Sequence, residues 1–69
     1  MWEFIAKFYN YAGAETSRKI DIDMCCVINI DESERVNAWK LAIARAFYLC
    51  EHDKELEGYT LDGIEFLSN

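Results

Sequence analysis

Cys25, Cys26, Cys50 and His52 are the residues of this chain whose types best suit chemistry. Thiolates and imidazoles are the usual ligands of zinc, but the spacing here opposes a closed site. Adjacent strand residues point to opposite faces, so Cys25 and Cys26 do not converge on one ion. Tetrahedral sites also tend to separate a ligand pair by about two to four residues. Cysteine–histidine catalysis meets a similar obstacle, because Cys50 and His52 are two apart on a helix and diverge by about 160°. Cys25 has no orienting group at hand. Cys26 and Cys50 fit better as small buried thiols meeting across a core. His52, set between Glu51 and Asp53, reads as a solvated helix end.

Asp21 and Asp23 form a second constellation. Two residues apart on a strand, they share a face, and Glu3 or Glu65 of neighbouring strands can join them. Such carboxylates can hold a divalent cation or act as an acid/base pair. Lys7, Arg18 and Lys19 are equally available to neutralise them on a solvated sheet face. No calcium loop, phosphate-binding glycine loop or serine–histidine–acid arrangement surrounds Gly13, Gly58 or Gly63. A short chain also has little material with which to enclose a substrate. The expectation is a protein that is not an enzyme and uses no cofactor. A small acid/base or divalent-metal protein centred on Asp21 and Asp23 is one alternative.

Thirteen acidic residues against seven basic ones, a net charge of -6, argue against a phosphate-binding surface. A weak nucleic-acid-binding module stacking bases on Tyr9 and Tyr11, beside Lys7, Arg18 and Lys19, is the second alternative. An apolar share of 52% and an aromatic share of 14% predict a folded chain. Sixty-nine residues predict a single domain, 1–69, with a thin core. The start, Met1 to Lys7, lacks the basic leader and apolar stretch of a secretory signal. No apolar run approaches the roughly 18 residues of a membrane span. Three cysteines, two of them adjacent, do not resemble a secreted disulfide framework. Cytoplasmic residence is the expectation.

These residues are positioned by elements that the side-chain pattern marks out. Trp2 to Tyr11 alternates, with Trp2, Phe4, Ala6 and Phe8 on one side and Glu3, Ile5, Lys7, Tyr9 and Tyr11 on the other. That predicts a strand, and apolar bulk on both faces predicts a central one. Ala12 to Lys19, with Gly13, reads as the turn region of a long hairpin. Ile20 to Ile30 reads as the second strand. Ile20, Ile22, Met24, Cys26 and Ile28 face the core, while Asp21, Asp23, Cys25 and Val27 face away.

Asp31 with Glu34 matches a capping box, and Ser33 is a competing cap. A helix follows from Ser33 to about Glu51. Its stripe of Val36, Trp39, Ile43, Ala46, Phe47 and Cys50 is predicted to pack on the sheet, and the alanines at 42 and 46 are expected to let the helix sit close to it. The stretch from His52 to Glu57 is expected to fray. A third strand over about Leu61 to Leu67 completes the chain, with Ile64 and Phe66 toward the helix and a bulge or bend at Gly63. The fold class is α+β, a ββαβ arrangement with a three-stranded antiparallel sheet in the order 2-1-3. One helix packs on one face.

More large apolar side chains fall outside the predicted seam than so small a surface should expose. Ile5, Tyr9, Tyr11 and Val27 gather on the open sheet face, and Leu41 and Tyr48 form a ridge on the helix. Both are candidate interfaces for a protein partner or for self-association into a homodimer. Acidic residues cluster at Asp21 and Asp23 and again at Glu51, Asp53, Glu55 and Glu57. Size and charge together suit an inhibitor or modulator of a nucleic-acid-processing or defence complex, of the type encoded by viruses or mobile elements.

Overall fold

A computed structural model describes residues 1–23 and 33–69 of the chain. Three strands form an antiparallel sheet in the order 2-1-3, with one long helix on one face. The central strand is β1 (Trp2–Asn10), flanked by β2 (Glu15–Ile22) and β3 (Tyr59–Ser68). The helix is α1 (Glu34–His52). No helix among the described residues is long and apolar enough to cross a membrane.

The period-two pattern of β1 sorts its side chains as the sequence predicts. Trp2, Phe4, Ala6 and Phe8 are buried beneath α1, while Lys7 and Tyr9 face out on the other side. β2 starts earlier than expected. Residues Glu15 to Lys19 are strand, not turn, because the hairpin closes tightly at Asn10. The Asn10 Oδ1 accepts from the backbone N–H of Ala12 at 3.0 Å and of Ala14 at 2.9 Å. Gly13 takes the positive φ of 86° that this turn requires. The strand then alternates polar residues outward until Ile20 and Ile22 enter the core. The rest of the predicted second strand, including Val27, Cys25 and Cys26, lies outside the described residues, as does the Asp31 cap.

Ser33 caps α1. Its Oγ accepts from the Val36 N–H at 3.2 Å, which satisfies a donor that the first turn leaves unpaired. The helix keeps Ala46, Trp39 and Cys50 of the predicted stripe against the core, and Ala42 beside them as expected, but rolls the rest of the stripe outward. Ala38, Ala42 and Ala46 are fully buried, whereas Val36, Ile43 and Phe47 are exposed. This is a roll of about a quarter turn at 100° per residue. The reason is room. Trp2, Phe4, Phe8, Ile20 and Ile22 already fill the layer above the sheet, so close packing places alanines at the centre of the helix contact and leaves Trp39, Leu41 and Leu49 to its margins.

The segment expected to fray is ordered. Asp53 caps a 3-10 turn over Lys54–Leu56, its Oδ1 accepting from the Glu55 N–H at 2.9 Å. Leu56 is completely buried there and closes the end of the core. Gly58, with φ 84°, reverses the chain into β3. The pairing of β3 with β1 slips twice, between Lys7 and Phe8 beside Gly63 and between Glu3 and Phe4. The first slip is the predicted bulge, with Asp62 as the extra residue.

Candidate interaction surfaces

The open face of the sheet is a lattice of paired charges. Lys7 Nζ donates to Glu65 Oε1 at 2.8 Å. Lys19 Nζ lies 2.5 Å from Glu3 Oε1 and 3.7 Å from Asp21 Oδ1. The Ser68 hydroxyl also donates to Glu3. Lys19 and Ser68 hold the Glu3 carboxyl below its ordinary value, and the carboxylates of Glu65 and Glu3 raise the Lys7 and Lys19 ammonium groups. Within this lattice Ile5 is half-buried and Tyr9 is 43% exposed. Tyr11 is fully exposed, but it sits in the hairpin turn and not on the face. Ile5 and Tyr9 therefore share the open face without Tyr11, and Val27 lies outside the described residues.

The helix ridge also dissolves. Leu41 turns inward and packs against the core, while Tyr48 remains 58% exposed. Tyr48 stacks with His52, four residues on, at 4.3 Å between ring centroids. His52 Nε2 lies 3.9 Å from Glu51 Oε2 at the helix surface.

The acidic residues do not form one cluster. Asp21 belongs to the Lys19 lattice, and Asp23 is exposed beyond the end of β2. Arg18 ties two of the other group to β2, with Nη2 2.8 Å from Glu55 Oε2 and Nε 3.7 Å from Asp53 Oδ2. Glu51 and Glu57 are exposed. Among the described residues no three His, Cys, Asp or Glu side chains gather closely enough to hold a metal ion. Cys50 is half-buried, and burial pushes its thiol above the ordinary value against a weaker effect of a Leu61 backbone hydrogen bond.

A further surface appears where the helix has rolled. Trp39, Ile43 and Phe47 form one wall of a groove whose other wall is Leu61, Gly63 and Ile64 of β3. Phe47 is 55% exposed, and Val36, Phe66 and Leu67 are exposed as well. Arg35 caps its lower end, with the guanidinium 5.9 Å from the Phe66 ring centroid. The signal for this surface was the Val36/Trp39/Ile43/Phe47 stripe itself, which the sequence pattern marks as apolar but assigns to the core. No protein-family model, curated protein or solved structure matches this chain.

Proposed function

We propose that this chain works by binding another protein chain, without catalysis, through the apolar groove between α1 and β3. The observation that carries the reading is the outward turn of Val36, Ile43 and Phe47 along one helix face. A helix that buries alanines and exposes Val36, Ile43 and Phe47 has a second apolar face, and apolar surface of this kind marks interaction sites. An aromatic anchor beside a shallow apolar wall also matches the composition of interface centres.

The finer reading is an inhibitor or modulator of a nucleic-acid-processing or defence complex, of viral or mobile-element type. Net charge of -6 supports it, since an acidic field steers a protein toward basic grooves. The odd cysteine count supports a reducing, cytoplasmic setting. Affinity capture followed by titration of the purified partner tests the groove. Phe47→Lys should weaken binding by at least about tenfold with circular dichroism unchanged. Equal binding by parent and variant would remove the groove from the reading. Loss of binding in high salt, with the Phe47 variant unaffected, would favour the acidic surface instead.

A further inference from the structure

β3 is an outer strand ten residues long, paired with β1 along one edge. Among the described residues nothing pairs with its other edge. Such an edge presents a row of main-chain donors and acceptors to any second strand. The apolar groove opens beside that same edge, since Leu61, Gly63 and Ile64 of β3 form its wall. We propose that a second copy of this chain occupies both features. β3 pairs antiparallel with the partner's β3 about a two-fold axis beside Ile64, and six strands form one sheet. The two α1 helices then lie antiparallel across the seam. This rests on the protein-binding reading of the groove and names its occupant.

The way the side chains point separates an axis at Ile64 from one at Gly63. Gly63 and Glu65 are opposite Lys7 and Ile5 on the open face, whereas Leu61 and Ile64 are opposite Phe8 and Ala6 on the core side. Directly opposed residues of an antiparallel pair share a face. An axis at Ile64 sets Ile64 against the partner's Ile64 and Gly63 against the partner's Glu65, and each pair shares its face. An axis at Gly63 would set Glu65 on the open face against the partner's Leu61 on the core side.

Open space at Gly63 is compatible with the same register. Gly63 brings no side chain, and a Cβ added there would meet nothing within 4 Å. Lys7 lies directly beside Gly63 on β1 and is already paired with Glu65 of its own chain, so the partner's Glu65 finds room over the glycine beside a neutralised ion pair.

The dimensions agree as well. α1 lies against β2 and β3 alike and so sits astride β1. Three strand spacings then separate the two helix axes, about 14 Å. Direct helix contact needs only about 8 to 10 Å. Bulk fills the difference, because Trp39 and Phe47 flank Ile43 four residues away on either side. Antiparallel helices centred at Ile43 bring each Trp39 toward the partner's Phe47. The exposed parts of Val36, Ile43, Phe47, Phe66 and Leu67 amount to about 400 Å² per copy, taking roughly 150 to 250 Å² for a whole large side chain. Two copies thus bring about 800 Å² of exposed apolar side chain to the seam, and the paired strand edges supply the rest of the about 1,200 Å² at the lower end of stable interfaces.

Sedimentation equilibrium of the full chain, from micromolar to near-millimolar concentration, together with amide exchange, tests the proposal. A monomer–dimer equilibrium is expected, with amides protected on both edges of β3. Phe47→Lys should raise the dissociation constant at least about tenfold. Gly63→Glu should do the same by opposing the partner's Glu65, and it leaves the monomer fold intact because the site is open. A chain that stays monomeric, or a dimer whose outer β3 amides exchange freely, overturns the proposal, as does a dimer that neither substitution weakens. A monomer that binds a different protein through Phe47 overturns self-pairing and leaves the protein-binding reading standing. A monomer with no such partner overturns both.

Discussion

Trp39 meets Phe4 edge to face, with 4.9 Å between ring centroids and 60° between ring planes. This contact joins the helix to the middle of the central strand and sets how far α1 can roll. With one side of Trp39 on Phe4, its other side lines the groove, and Ile43 and Phe47 must follow it outward along the helix. Phe66 completes the arrangement by packing on Phe4 at 5.8 Å and on Trp2 at 5.7 Å. The core and the candidate interaction surface therefore share a boundary, and that boundary is Trp39.

The first prediction separates core from surface. Phe4→Ala should cost about 3 to 5 kcal/mol and Leu56→Ala about 2 to 5 kcal/mol, because both side chains are fully buried. Phe47→Ala should cost less than about 1 kcal/mol, in line with other exposed positions. Urea unfolding of the three variants checks this ordering. A Phe47 variant as unstable as the Phe4 variant would contradict the roll of the helix.

The hairpin turn supplies a second. Asn10→Ala removes the acceptor for two backbone N–H groups, and Gly13→Ala places a side chain at φ 86°. Each should lower stability by about 1 kcal/mol, the first through lost hydrogen bonds and the second through backbone strain. Thermal melts of the single variants measure it, and Gly13→Asn should be milder than Gly13→Ala.

At the other end of the chain's local signals, Ser33→Ala should cost about 1 kcal/mol by leaving the Val36 N–H without its cap. Ser33→Asp should retain most of the stability. Exchange protection of the first helical turn gives the direct readout.

The open sheet face should report its ion pairs through pH. Glu3 is depressed in the folded chain, so its contribution is present above the unfolded glutamate value of about 4.3. It is lost as pH falls through the lower folded value. Lys19 and Lys7 are raised, so their contributions are complete below the unfolded lysine value and disappear as pH climbs through the folded ones. The melting-temperature difference between parent and Glu3→Gln should thus be constant near neutrality and vanish in acid. A difference that persists below the folded Glu3 value would rule out the Lys19 pairing as its source.

Cys50 should be a slow thiol. Its raised value reduces the thiolate present at neutral pH, and half-burial limits access. Alkylation followed residue by residue with mass spectrometry should show Cys50 reacting more slowly in the folded chain than in urea. Equal rates would place the thiol in solvent.

Much of this architecture is legible in the sequence because a strand offers only two faces. In β1 the large residues at Trp2, Phe4 and Phe8 leave one choice of inward side, and apolar bulk on both faces makes that strand central. The change to helical period after Ser33 and the glycine at the bulge of β3 are likewise local signals. The rotation of α1 is not local. Its sequence carries one arc of alanines and another of large apolar residues, and side-chain size favours burying the second. The sequence marks Ala42 and Ala46 for close approach, but only the assembled sheet, already crowded by Phe4, Phe8 and their neighbours, centres the contact on the alanines and turns Val36, Ile43 and Phe47 outward. Close packing selects complementary volume and not the largest hydrophobe, so the groove beside β3 exists only once the helix and the sheet have met.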